Sequence, residues 1–199
     1  MIGIAARADS LTMPVVSNDK TSEARPVDGS APDNMIEPLI EVQRALNNDY
    51  GSPDDGAIVQ WCQVALEDTN SIDAGVTIRL VEANEIRVTN QQWRGKDKST
   101  NVLSFPADFP AETGVKYLGD IMICPQVLET ESLEQGKALA DHWAHIVVHG
   151  VLHLLGYDHE QDSDAQSMEQ REREILASLN IADPYSTNPD LSGADSMHK

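Results

Sequence analysis

Cysteine is scarce in this chain of 199 residues: Cys62 and Cys124 are the only two. Two thiols exclude a disulfide scaffold and a zinc site built from cysteine alone. They fit paired free thiols in a reducing cytosol, so a cytoplasmic protein is expected. Cations are also few, with 14 Lys and Arg against 33 Asp and Glu, a formal net charge of -19. Such a surface does not coat DNA or anionic membrane non-specifically, and any affinity for nucleic acid has to come from a local basic patch. No apolar run reaches the roughly 20 residues a membrane span requires. The start, MIGIAARADSLTMPVV, lacks a basic segment followed by a long apolar stretch, so no secretory signal is expected.

What is present divides the chain into three. Residues 1–34 carry Pro14, Pro26 and Pro32 among Ser, Asp and Thr, without apolar periodicity, and read as a disordered extension. Residues 186–199 are again polar and turn-rich and read as a flexible tail. The segment between them, 35–185, holds enough apolar residues for one core. In it, Ile36–Val42 suits a strand, and Ser52-Pro53-Asp54-Asp55 opens a helix with a cap, an early proline and acids in the first turn. Val76, Ile78 and Leu80 alternate with Thr77 and Arg79 as in a strand. Residues 83–93 suit a short polar helix, and Asn101–Phe105 and Leu118–Cys124 suit two further strands. The pattern predicts one long helix over Leu133–Leu155, ended by Gly156. A last helix from Asp162 carries Met168, Ile175, Leu176 and Leu179 on one face. The predicted class is α+β: a small mixed sheet packed with helices, the long helix at the centre.

Five of the six histidines lie between 142 and 159. Three form His149-Gly-Val-Leu-His153-Leu-Leu-Gly-Tyr-Asp-His159. His149 and His153, four residues apart, share one helix face one turn apart. Gly156 lets the chain leave the helix so that His159 can return as a third ligand. Three imidazoles with a vacant fourth position describe a catalytic zinc site, whereas a structural site is closed by four protein ligands. His145 shares the stripe and His142 lies a further turn back. Both suit an outer-layer or surface role better than ligation. Asp158 and Glu160 flank His159 as carboxylates able to orient an imidazole.

The spacing HxxxHxxGxxH is that of the metzincin proteases, which carry a glutamate general base directly after the first histidine. Here that position is Gly150, so peptide hydrolysis by that route has no proton acceptor. A glycine inside a helix costs about 1 kcal/mol relative to alanine, which points to a close backbone approach. Six of the 14 cations fall between 79 and 116, and Trp93-Arg94-Gly95-Lys96-Asp97-Lys98-Ser99-Thr100 is the densest stretch. Arg94 suits bidentate phosphate contacts, with Lys96 and Lys98 beside it as further candidate phosphate-binding residues. No Ser lies in a G-x-S-x-G elbow, and Lys98-Ser99 lacks the glycines of a phosphate-binding P-loop.

Taken together, Trp-Arg-Gly-Lys-Asp-Lys-Ser-Thr-Asn-Val-Leu-Ser-Phe-Pro at 93–106, Leu-Gly-Asp-Ile at 118–121 and the histidine motif resemble the YbeY family of bacterial endoribonucleases. The resemblance implies a zinc-dependent, single-strand-specific endoribonuclease. It implies action in rRNA processing, at the 3′ end of small-subunit rRNA, and in ribosome biogenesis and quality control. The implied partners are rRNA precursor, the small ribosomal subunit and assembly factors, with no DNA and no membrane. It also implies one Zn²⁺ per chain on His149, His153 and His159, and an essential arginine at Arg94. Many members carry Asp where this chain has Asn101. The same residues would serve a non-catalytic zinc-bearing ribosome assembly factor, which stays open on sequence alone. A chain shortened to start at Met35 is expected to unfold cooperatively and to keep its metal, because residues 1–34 offer no core face. Thermal unfolding of the shortened chain checks this, and loss of cooperativity would move the boundary.

Overall fold

A computed structural model describes residues 39–109, 116–159 and 161–186. The expected extension and most of the expected tail lie outside these residues, as do the first residues of the strand expected from Ile36. The elements run β1 (Ile40–Ala45), α1 (Asp55–Asp68), β2 (Gly75–Val81), α2 (Ala83–Arg94), β3 (Val102–Pro106), β4 (Tyr117–Ile123), α3 (Pro125–Gln135), α4 (Leu139–Leu154) and α5 (Asp162–Ser178). One four-stranded sheet has the order β1-β2-β4-β3. β1 and β4 both pair parallel with β2, and β3 closes the other edge antiparallel to β4. The fold is therefore α+β with a mixed sheet, as predicted.

Local chemistry accounts for these elements. Asp54 caps α1, its carboxylate accepting from the Ala57 amide at 2.8 Å. Helix α1 is the crossover that a parallel β1–β2 pair requires. Its Ile58, Cys62, Ala65 and Leu66 are buried, with Val76, Ile78 and Leu80 of β2, in the main core. Helix α2 serves the opposite side of the sheet. There Ile86 joins Val81, Leu103 and Cys124 in a second, smaller cluster. Both faces of a sheet with parallel pairs are thus covered.

The long helix expected over Leu133–Leu155 is two helices. Gly136 adopts the left-handed conformation at φ 62° and its amide returns to Leu133, closing α3. The Lys137 amide returns to the Ser132 carbonyl at 3.0 Å, completing the stop. Leu133, which carries the apolar pattern backwards across this break, is 78% exposed. Pro125 starts α3 at a position where its missing amide costs nothing. Residues 125–132, where the sequence pattern predicts no element, form most of α3.

Helix α4 is the central element. Every residue from His142 to Leu154 is buried, as befits a helix enclosed on all sides. Its tightest contact is at Gly150, where a Cβ would stand 2.9 Å from Cγ2 of Ile121 on β4. The Gly150 carbonyl accepts from the Ser104 hydroxyl of β3 at 3.2 Å. The glycine so explained is the one that departs from the protease pattern. Gly150→Val is expected to lower stability by about 2–3 kcal/mol, since overpacking a dense core forces backbone shifts of that cost. Urea denaturation measures it, and an unchanged midpoint would mean that α4 stands farther from β4 than described.

Candidate metal centre

Two turns of α4 and the loop after it build the site. Past Leu154 the Tyr157 amide returns to the Leu152 carbonyl at 3.0 Å. Gly156 takes φ 90°, which an L side chain rarely adopts. The chain reverses there, and the Asp158 carboxylate accepts from the His159 amide at 2.6 Å. His159 is thereby returned to the helix. Its ring centroid lies 5.8 Å from that of His149 and 5.1 Å from that of His153. One ring nitrogen from each of His149, His153 and His159 falls within 4.8 Å of the others. The structure brings together the three histidines the spacing predicts.

Hydrogen bonds select the nitrogens that face inward. Nδ1 of His153 donates to the Tyr157 carbonyl at 2.9 Å. Nδ1 of His149 donates to Oε1 of Glu172 at 2.6 Å. These partners accept only, so both neutral rings carry their proton on Nδ1 and leave Nε2 with a lone pair. The two Nε2 atoms face each other at 2.9 Å. His159 adds a buried Nε2 without a hydrogen-bond partner. Converging lone pairs in a buried place repel unless a cation lies among them, so these residues fit a metal ion.

Electrostatics agree with this. Burial holds the imidazole of His149 below its ordinary range. Burial, helped by the neighbouring His149 ring, takes His153 down to about 3. Both are therefore neutral and ligand-ready at neutral pH. Burial pushes the Glu172 carboxyl up, but the imidazoles of His145 and His149 outweigh it and leave the group below the usual carboxylate range. His149, His159 and Glu172, with Ala165, Met168, Glu169 and Tyr185, line a cavity of about 370 Å³.

The other predicted residues are placed as follows. His142 and His145 are buried at 5% and 7% exposure, which corrects a surface role for either. Nε2 of His142 lies 2.8 Å from Glu131, and Nε2 of His145 lies 3.6 Å from Glu172. His145, His149 and Glu172 form a second group with ligand-type atoms within 4.8 Å. Glu160 lies outside the described residues. Arg94 is the last residue of α2 and half-buried, with Gly95 in the left-handed conformation as the cap. The loop after it is held through its backbone, Nδ2 of the Asn90 side chain donating to the Lys98 carbonyl at 2.7 Å. Arg87 pairs with Asp97, and Lys96 and Lys98 are exposed. None of Arg94, Lys96 and Lys98 lines the histidine cavity.

Asn101 is buried, and its amide donates to Glu131 at 3.0 Å while its Oδ1 accepts from the Val102 amide at 2.8 Å. It braces β3 against α3, and a carboxylate in its place would meet Glu131 without a proton to offer. Glu172 and Tyr185 are the site residues that sequence reasoning missed. A signal for the first existed: Glu172 sits on the same helix face as Met168, Ile175 and Leu176, a lone carboxylate in an apolar stripe.

Comparison with known proteins converges on one group. A family model described as Endoribonuclease YbeY matches residues 48–180. A curated relative of that description from Pseudomonas putida is 52% identical over 147 residues, covering 73% of this chain and 92% of the relative. Another, from Pseudomonas entomophila, is 52% identical over the same length and coverage. A third, from Stutzerimonas stutzeri, is 46% identical over 156 residues, covering 78% and 97%.

The depressed imidazoles dictate a pH dependence for the metal-free chain. An unfolded chain takes up these protons below about pH 6.5, whereas folded His153 resists down to about 3. The unfolded state thus binds more protons in that window, and stability falls as pH falls. The expected slope is up to about 1.4 kcal/mol per pH unit for each histidine. Urea unfolding at steps from pH 7.5 to 5.0 measures it, and a flat profile would mean that the rings are solvated.

Proposed function

The chain belongs to the YbeY endoribonuclease family, and from that premise we propose that it is a zinc-dependent, single-strand-specific endoribonuclease of rRNA processing. Its site of action is the 3′ end of small-subunit rRNA in the cytoplasm, in ribosome biogenesis and quality control. The relatives that carry the name are matched over more than nine tenths of their length, so the reading concerns the whole catalytic domain. The observation that carries it is the pair of inward Nε2 atoms at 2.9 Å with the unpartnered Nε2 of His159 beside them. Three nitrogen donors and no fourth protein ligand within the predicted set favour zinc in an open, catalytic mode, one ion per chain.

A zinc ion held there supplies Lewis acidity toward a phosphoryl oxygen or a water. The remaining work falls to the chain. His149, His153 and His159 hold the ion, and the Glu172 carboxylate and Tyr157 carbonyl keep two of the rings turned to it. Arg94 is assigned the guanidinium that stabilises charge growing on the phosphoryl oxygens, a role that requires the RNA strand to reach from the loop after α2 to the histidines. Lys96 and Lys98, on a loop fixed by its backbone, draw the RNA strand to a surface that otherwise repels it.

The partners follow from the same premise: rRNA precursor in single-stranded regions, with the small ribosomal subunit and its assembly factors. The test is single-turnover cleavage of a structured rRNA fragment by protein from a nuclease-free host, with metal-stripped and His153→Ala controls. Wild type is expected to cut, and both controls to fail. Arg94→Ala is expected to cut about 10²–10³ more slowly at saturating RNA, with zinc content unchanged. Lys96→Ala and Lys98→Ala are expected to weaken binding and flatten its salt dependence. A wild type that binds the subunit without cutting would make this chain an assembly factor instead.

A further inference from the structure

Among the described residues Glu172 is the only buried carboxylate, at 0% exposure. A buried anion needs its oxygens satisfied, and its partners decide which way it turns. Oε1 stands between two imidazoles: Nδ1 of His149 at 2.6 Å and Nε2 of His145 at 3.6 Å. The first is a hydrogen bond and the second is too long to be one. Yet both ring nitrogens of His145 are buried and lack hydrogen-bond partners. His145 is therefore a rival donor for the oxygen that orients His149. What holds the carboxylate toward His149 is its other end, where Oε2 accepts from the Tyr185 hydroxyl.

Tyr185 comes from outside the helices that carry the histidines. It sits on the segment after α5, five positions beyond the last residue matched by the family model. That segment is fixed at several points. Lys137 Nζ donates to the Pro184 carbonyl at 2.8 Å, and the Tyr185 amide donates to Asp183 at 2.9 Å. The Arg173 guanidinium lies 4.8 Å above the Tyr185 ring and pairs with Asp183 at 3.4 Å. The ring meets that of His145 edge-on, the centroids 5.7 Å apart. So anchored, the hydroxyl has one aim, the far oxygen of Glu172.

We infer that Tyr185 is a positioning residue of the metal centre: by holding Oε2 of Glu172 it reserves Oε1 for His149 and keeps the Nε2 lone pair of His149 turned to the ion. The inference rests on the metal-centre reading above. Without the hydroxyl, the carboxylate turns toward His145, His149 loses the acceptor that sets its tautomer, and the ion loses an oriented ligand. Partners that orient metal-bound histidines typically change metal affinity about 10–100-fold, and Tyr185, one bond further out, belongs at the lower end.

The experiment uses the full chain and two probes, Zn²⁺ in competition with a chelating dye and Co²⁺ followed by its visible absorption. Tyr185→Phe keeps the ring, its contact with His145 and the Arg173 stack, and removes only the hydroxyl. It is expected to bind Zn²⁺ about tenfold more weakly and to shift the Co²⁺ bands, with thermal unfolding of the metal-free chain close to wild type. Glu172→Gln, which keeps shape and loses charge, is expected to lose at least as much. Combining the two is expected to cost less than the product of their effects, since both act on one bond. Adding His145→Phe to Tyr185→Phe removes the rival donor and is expected to restore part of the affinity, which a merely structural role for Tyr185 would not produce. Wild-type affinity and Co²⁺ bands in Tyr185→Phe would overturn the inference. A wild type that holds no metal would overturn it together with the nuclease reading. A tenfold loss in Tyr185→Phe, in a wild type that binds metal and cuts no RNA, would support it and overturn only that reading.

Discussion

The contact of α4 with the sheet at Gly150 is the constraint on which the rest of the structure depends. A Cβ there would lie 2.9 Å from Ile121, so the helix sits as near the strands as a backbone without side chain permits. From that seat it is enclosed between α1, α3, α5 and the sheet, and its residues from His142 to Leu154 are buried. Burial is what turns a row of histidines into a metal centre. On an exposed helix, imidazoles at this spacing would exchange their hydrogen bonds with water and titrate near their ordinary range. Enclosed, His149 and His153 stay neutral, and hydrogen-bond partners choose which of their nitrogens points inward. The close packing, the depressed basicity and the facing lone pairs are consequences of one short distance.

A second consequence concerns charge. The chain carries a formal net charge of -19, yet among the described residues only one carboxylate is buried, and it lies against the histidine row. An anion in that position would complement a cation held by His149, His153 and His159, whereas the surface acids are solvated and screened. Arg173 and Lys137 fasten the segment bearing Tyr185, while Lys96 and Lys98 stand exposed on the loop after α2. A strongly acidic protein with a local basic loop is suited to taking a polyanion at one place only.

Local signals made most of the fold legible. Asp54 and Pro53 mark the start of α1, alternation marks β2, and His149, His153 and His159 stand at a spacing that only a helix followed by a reversal can close. The sequence reading failed where an apolar residue lies on the surface. Leu133 extends the periodicity of α4 across Gly136, so the glycine stop was overridden and α3 was missed. Glu172 was legible only as an anomaly, a charge within the apolar face of α5, and its meaning depends on His149, 23 positions earlier. Tyr185 carries no local signal at all. Its role arises where the segment after α5 crosses the row of histidines, which is tertiary structure and nothing less.

The position of Glu172 also explains why a protease-like spacing does not bring protease-like chemistry. In the helix motif with a glutamate after the first histidine, the carboxylate is available to take a proton beside the ion. Here the corresponding space belongs to Ile121, and the carboxylate arrives from another helix on the Nδ1 side of His149, facing away from the Nε2 atoms that converge at 2.9 Å. A group so placed can orient a ligand and offset charge from the Nδ1 side of His149. Its other oxygen accepts from the Tyr185 hydroxyl, and the residue is fully buried. The glycine and the displaced glutamate are thus two parts of one arrangement: the helix packs too closely on the sheet for a side chain at Gly150, and the buried carboxylate beside the histidines comes from another helix and orients His149.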